Sequence, residues 1–306
     1  MNEISIVIPV FNSGDILNEL HRQIQLALKN KTFELILVDD CSSDNSWEVI
    51  KLLAAKDKNI IAIKLRKNFG QDNALMTGFK YASGNFVVIM DDDLQHSPYD
   101  IIKLYERCRE GFDICYAKFF EKEHNFWKKT GSAFNGFSAV MLFDKPKGIY
   151  MSPFKIVKLE IIKEILQYTG PLPYVDGLLL EVTRNLATVE VEHFARFKGK
   201  SNYNLFKSLS VYLKTLTGFS VIPLRFASVV GFISSIAGFV MAIYFIIEYF
   251  AINATVEGWT SLIISILIVG GLMLMSLGLI GEYLGRMFLT LNKKPQSSID
   301  EIINKI

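Results

Sequence analysis

An α/β fold with a parallel open sheet, followed by two membrane-spanning helices, is predicted for this chain of 306 residues. Three observations predict it. Short β-rich apolar runs alternate with helical stretches near the start of the chain, the order that βαβ units need. Two of those runs end in clustered acids, Asp39-Asp40 and Asp91-Asp92-Asp93, where a parallel sheet opens into its ligand crevice. Charge then thins out after Arg225, leaving two apolar stretches long enough to cross a bilayer.

The first run, Ile4–Val10, is continuously apolar and reads as a buried strand. Residues 15–29 place Ile16, Leu20, Ile24 and Leu28 on one helical face. A second strand over 33–38 closes on Asp39 and Asp40, and the Ser, Asp and Asn residues of 42–46 supply caps for a helix through Trp47, Ile50 and Leu53. A strand over 60–65 and a helix over 70–82 follow, and Gly84 stops that helix before the strand 86–90 that delivers Asp91, Asp92 and Asp93. Beyond Pro98 the pattern predicts a helix to about residue 110, a strand over 114–118 and a helical segment over 126–143. Next come a loop at 144–150, an extended piece at 154–157, helices over 159–168 and 177–186, and a strand over 188–197.

Charge and cysteine content exclude several classes. With 33 Lys and Arg against 31 Asp and Glu, dispersed rather than gathered in a stripe, the chain shows no nucleic-acid footprint. Cys41, Cys108 and Cys115 have no CxxC spacing, which suggests neither a disulfide framework nor a zinc site and fits a reducing compartment. The first residues enter a strand at once, without the basic and apolar regions of a cleaved signal.

The acids after residue 90 have no packing reason to end a buried strand. Three adjacent carboxylates raise one another's pKa unless a cation lies among them, and hard oxygen donors point to Mg2+ or Mn2+ with a phosphate-bearing ligand. Acids that merely cap the helix after Pro98 are the plain alternative. Arg196-Phe197-Lys198-Gly199-Lys200-Ser201 brings guanidinium, ammonium and hydroxyl donors into a short loop, suited to a pyrophosphate or to anionic lipid. Leu205, Phe206, Leu209, Leu213 and Leu216 recur at helical spacing among polar residues, as in an amphipathic helix lying in a membrane interface.

Residues 226–247 carry no charge, which at 1.5 Å per residue is about 33 Å of helix, and 258–281 form a second such run. The loop between them has Glu248 and Glu257 but no Lys or Arg, whereas Arg225, Arg286, Lys293 and Lys294 flank the pair. The positive-inside rule therefore predicts both termini and the soluble domain in the cytoplasm, with the chain multi-pass in the inner membrane. Gly270, Gly271, Ser276, Gly278 and Gly281 favour close helix contact within the pair or between subunits of a homo-oligomer. The expected organisation is a soluble α/β domain at 1–200, a juxtamembrane helix at 201–224, a hairpin at 225–290 and a cytoplasmic tail at 291–306.

Five motifs stand in order: Val7-Ile8-Pro9-Val10-Phe11-Asn12, Val38-Asp39-Asp40-Cys41-Ser42-Ser43-Asp44, Asn68-Phe69-Gly70, Asp91-Asp92-Asp93-Leu94-Gln95 and Gly281-Glu282-Tyr283-Leu284-Gly285-Arg286. With the hairpin, they make the chain resemble the family 2 glycosyltransferases over nearly its whole length. The likeness is greatest to the polyprenyl-phosphate group that includes dolichol-phosphate mannose synthase and bactoprenol glucosyltransferases. The resemblance implies a GT-A fold for the soluble domain. It implies that Pro9, Phe11, Asn12, Asp39, Asp40, Asn68 and Asp92 serve the nucleotide sugar, and that Asp91, Asp93 and Gln95 surround a Mg2+ or Mn2+ ion. Arg196, Lys200, Ser201 and Tyr203 look like the family's basic loop, which closes on the diphosphate or the lipid phosphate.

The activity so implied is inverting transfer of a sugar, glucose foremost, from a UDP-sugar to polyprenyl (undecaprenyl) phosphate, for cell-envelope glycan modification. The chain departs from the family at Phe11 and Ser13, where Tyr and Glu are usual, and at Lys67, where Arg is usual. It also lacks the carboxylate many relatives carry beside the segment Ser152-Pro153-Phe154-Lys155-Ile156-Val157. A phosphate acceptor is already anionic and needs no base, so Lys155 and Arg196 are expected to receive it. A glycosyltransferase acting on a hydroxyl acceptor and a non-catalytic scaffold are the competing readings. A processive synthase would show a QxxRW element and more spans, and a pyrophosphorylase a glycine-rich first loop without the hairpin.

Overall fold

The structure is a computed structural model and describes residues 2–119, 151–191, 222–252, 258–292 and 294–305. The predicted helical segment 126–143, the loop 144–150, the basic loop with Arg196, Lys200, Ser201 and Tyr203, and the interfacial helix lie outside the described residues. The chain divides into two compact units, Met1–Tyr203 with Lys293–Ile306, and Asn204–Asn292.

In the first unit, β1 (Ile4–Val10), α1 (Leu17–Ala27), β2 (Phe33–Asp39), α2 (Ser46–Lys56), β3 (Ile60–Leu65), α3 (Gln71–Phe79) and β4 (Phe86–Ile89) alternate as predicted. After α4 (Asp100–Arg109) and β5 (Ile114–Phe119) come β6 (Lys155–Lys158), α5 (Leu159–Ile165), α6 (Val175–Val182) and β7 (Leu186–Val191). A last strand, β8 (Ile299–Ile303), follows the apolar unit. The strands form one sheet in the order β7-β5-β6-β4-β1-β2-β3-β8.

β1 lies between β4 and β2, parallel to both, and its side chains are buried on both faces as its unbroken apolar run requires. Ile4, Ile6, Ile8 and Val10 join Leu17, Leu20 and Ile24 of α1 and Trp47 and Ile50 of α2 in one core. Val7 points to the other face, where α3 packs so closely that a Cβ on Gly78 would lie 2.5 Å from Val7 Cγ1. Gly78→Ala should therefore push α3 off the sheet and cost about 1–3 kcal/mol, read as a fall in the thermal midpoint. That helix carries part of the site described below, so the close approach has functional weight.

Two features correct the expectation of a parallel sheet. The extended piece near residue 155 is β6, and it runs antiparallel to both β4 and β5. The segment read as a tail returns to the sheet, where β8 pairs antiparallel with β3 and covers what would otherwise be an open edge. The helix predicted at 177–186 begins earlier, at Val175, and ends at Val182, so the following strand starts at Leu186.

The second unit contains α7 (Ile222–Ile252) and α8 (Trp259–Leu291). Within them Leu224–Met241 and Ile268–Leu291 are long and apolar enough to cross a bilayer. Their side chains are largely exposed, with Phe232, Phe239, Leu274 and Leu277 among them. A soluble protein does not leave so much contiguous apolar surface to water, and this is a membrane protein.

Candidate functional site

Because β4, β1 and β2 are adjacent and parallel, their carboxyl ends open along one edge. The register places Val10 beside Asp39, and Val7 beside Ile89, so the loops after all three strands meet there. Asn12, Cys41 and Leu94, one in each loop, hold φ of 56°, 60° and 57°. Such left-handed backbone costs non-glycine residues energy and collects where a site demands a particular loop shape.

Side chains lace the loops together. Asn12 N–H donates to Ser42 Oγ at 3.0 Å, and Ser43 N–H donates to Asn12 Oδ1 at 2.8 Å. Phe11 N–H donates to Asp92 Oδ2 at 3.2 Å, which ties the β1 exit to the acid run. Asp40 accepts from the N–H groups of Phe69 and Gly70 at 2.7 and 2.8 Å and thereby fixes the loop that starts α3. Asp39 accepts from Ser42 N–H, and burial raises the pKa of both carboxyls. Asp39 and Asp40 are thus buried supports in this structure, whereas Phe11 (50% exposed), Asn12 and Asn68 form the open rim and Pro9 sits half-buried beneath them.

In the acid run, Asp91 accepts from Gln71 Nε2 at 2.8 Å, and Asp93 accepts from the N–H of Gln95 at 3.1 Å. Burial first, then Asp93 and Asp92, push the Asp91 carboxyl up to about 6. Burial also raises Asp92, against its hydrogen bonds to Ser13 and Phe11. Among the described residues no three His, Cys, Asp or Glu side chains form a ready-made metal cage. Two carboxylates with an amide oxygen nevertheless fit Mg2+ or Mn2+, which take one or two protein carboxylates and fill the rest of their shell from phosphate and water. His96, beside the acids in sequence, is 4% exposed and stacks between Phe119 and Phe154, each at 5.3 Å, so it packs the β5–β6 side.

A second polar cluster adjoins the first and was not foreseen. Lys155, on β6, is 3% exposed and pairs with Asp176 Oδ1 at 2.5 Å. Tyr116 Oη donates to the same oxygen at 3.1 Å, and the lysine lies over the Tyr116 ring. Asp72, in the first turn of α3, accepts weakly from Val175 N–H at 3.5 Å. Burial, then the charge of Asp176, pushes Asp72 up to about 6, while Lys155 pulls it down. The sequence expectation assigns Lys155 to an acceptor phosphate, and the structure shows what surrounds that side chain. Its ammonium is buried and committed to Asp176, because β6 inserts between β4 and β5 and points it inward. Its partner carboxylate comes from α6, 21 positions away, which no local pattern reveals.

A mixed α/β sheet whose central parallel strands end in an acid-lined edge defines the GT-A class of nucleotide-sugar glycosyltransferases. Solved structures share the fold. Glucosyl-3-phosphoglycerate synthase from Mycobacterium tuberculosis, crystallised with Mn2+, uridine diphosphate and phosphoglyceric acid, aligns with a TM-score of 0.52 at 16% identity, covering 71% of this chain and 76% of that one. Residues 5–166 match the family model for glycosyl transferase family 2, and the chain belongs to that family. It is 30% identical to undecaprenyl-phosphate 4-deoxy-4-formamido-L-arabinose transferase of Proteus mirabilis, over 99% of this chain and 94% of the relative. Against the transferase of the same name from Pseudomonas aeruginosa the identity is 28%, over 98% and 90%.

Proposed function

We propose that this glycosyltransferase moves a sugar, glucose being the first to test, from a UDP-sugar to the phosphate of a polyprenyl carrier with inversion. One observation carries the reading: the exits of β1, β2 and β4 converge around an oxygen-donor acid run, in a chain whose near-full-length relatives act on undecaprenyl phosphate. Phe11, Asn12, Asn68 and Pro9 offer the nucleoside an accessible rim backed by Asp39, Asp40 and Asp92. Asp91, Asp93 and Gln95 would hold Mg2+ or Mn2+, which when bound supplies positive charge for the departing diphosphate. Arg196, Lys200, Ser201 and Tyr203 are assigned to the diphosphate or the lipid phosphate, with Arg196 and Lys155 the candidates for receiving the acceptor phosphate.

A lipid phosphate is already ionised near neutral pH, so this chain has to align it rather than deprotonate it. Asp176 fits that requirement, since its Oδ1 is already engaged by Lys155 and Tyr116. A hydroxyl acceptor is the second reading, favoured by Asp72, whose pKa of about 6 would suit a base.

Connectivity supports the proposed topology. The chain leaves the sheet-bearing unit before α7 and rejoins it at β8, so both ends of the hairpin attach to one unit, which supports an even number of crossings. Arg225, Lys293 and Lys294 flank those ends and favour the cytoplasmic side. Purified full-length chain should be incubated with Mn2+, polyprenyl phosphate and a panel of nucleotide sugars that includes amino and formamido sugars. The expected product is a lipid whose mass gains one sugar through an acid-labile phosphate link. An acid-stable glycoside would establish the second reading, and no product from any donor would end both.

A further inference from the structure

The segment that follows α8 does more than cover a sheet edge. Its far end is anchored on the α2–β3 side: Arg66 pairs with Asp300 at 2.9 Å, Trp47 Nε1 donates to Glu301 at 3.2 Å, and Asn304 Nδ2 donates to the carbonyls of Ala54 and Ile60. Its near end reaches a different part of the fold. Gln296 Nε2 donates to two carbonyls of one loop, those of Tyr168 and Gly170, each at 2.9 Å. Ser297 Oγ shares a 2.6 Å hydrogen bond with Thr77 Oγ1, and Thr77 in turn donates to the Asn73 carbonyl on α3.

The loop held by Gln296 is wound tightly. Tyr168 Oη donates to the Leu172 carbonyl, and a Cβ on Gly170 would meet that tyrosine oxygen at 2.4 Å. From there the connections run into the polar cluster. Asn73 Nδ2 reaches the Pro171 carbonyl at 3.4 Å, Val175 N–H reaches Asp72, and Asp176 lies in the first turn of α6 against Lys155. A strand that only protected an edge would need the β3 pairing and the far anchors, not a glutamine amide spent on a loop outside the sheet.

We propose that Gln296 is a positioning residue: it fixes loop 168–175, and through it the Asp176–Lys155 pair and Asp72, so that the chain returning from the apolar hairpin sets the acceptor side of the site. This deepens the proposed transfer to a lipid phosphate and rests on it. The nucleotide side, built from the exits of β1, β2 and β4, has direct bonds of its own and meets this network through Asn73, which also donates to the Phe69 carbonyl.

The test uses the full-length chain in lipid nanodiscs and compares wild type, Gln296→Ala, Gln296→Glu, which turns the donor into an acceptor facing carbonyls, and Asn304→Ala, which loosens only the far anchor. Hydrogen exchange of residues 167–176 should rise about tenfold or more in both Gln296 variants and stay at the wild-type rate in Asn304→Ala. The KM for polyprenyl phosphate should rise about fivefold or more, with Mn2+–UDP affinity within about twofold of wild type. Unchanged exchange at 167–176 would overturn the proposal, as would a rise spread evenly over β3 and β8, since that marks a general loss of stability. Faster local exchange in a wild-type background that transfers nothing to lipid phosphate would support the positioning role and overturn the proposed acceptor instead.

Discussion

Replacing Asp93 by alanine is expected to lower sugar transfer by about a thousandfold while leaving the protein folded. Asp93 lies on the loop after β4, half-buried, and its hydrogen bond to the N–H of Gln95 shapes a turn without holding up the core. The loss should appear in turnover and in Mn2+-dependent protection by UDP, whereas the thermal midpoint of the metal-free protein should change little. Full activity in the variant would remove the acid run from the site.

The same edge makes metal-free stability depend on pH in a definite sense. Asp91 and Asp72 are each pushed up to about 6, above the value of about 3.9 expected in the unfolded chain. Between those values the folded state holds more protons than the unfolded one, so the stability these groups allow is fully present below about pH 4 and is lost as pH rises through about 6. Asp44, Asp57 and Asp113 are shifted downward and act in the opposite sense at lower pH, as the protein is acidified. Asp72→Asn isolates one contribution. Its stability relative to wild type should grow between pH 4 and pH 7, to about 2 kcal/mol once solvent screening at these partly exposed groups is allowed for. Denaturant midpoints at several pH values check this, and a difference independent of pH would place Asp72 in an ordinary aqueous environment.

Lys155→Met should be the most destabilising single change in the site, at about 3–5 kcal/mol, because it strands Asp176 beside Asp72 with no cation between them. Asp176→Leu strands the lysine and should cost nearly as much. The double variant removes both charges and should recover most of the loss, giving a coupling energy above about 1 kcal/mol in a double-mutant cycle. Additive losses would show that the two residues do not form the pair described. Activity adds a separate reading: a stable double variant that still transfers sugar would show that neither charge of the pair is needed for transfer.

Much of the acid-lined edge was legible in the sequence. A continuous apolar run such as Ile4–Val10 has one stable use in an α/β chain, and acids that close such a run can be placed at the sheet's carboxyl edge without knowing which strands are neighbours. The two apolar helices were legible for the same kind of reason, since an uncharged stretch of that length answers to a bilayer by composition alone. The cluster around Lys155 and Asp176 was not. β6 was legible as an extended piece, but its antiparallel pairing, like that of the unforeseen β8, is decided by strands far away in the chain. Lys155 read alone is a cation without a partner in view, and only the fold brings it to Asp176, 21 positions away.

What the sequence by itself determined is the set of local commitments: most of the strands, which strand ends carry carboxylates, and where the chain turns apolar. These follow from side-chain periodicity and transfer free energy, which act over a few residues at a time. Tertiary structure alone decided the order β7-β5-β6-β4-β1-β2-β3-β8, the inward turn of Lys155 and the return of Gln296 to loop 168–175. Those depend on hydrogen bonds and charge pairs between residues that meet only when the chain closes, and no local pattern encodes a partner that distant.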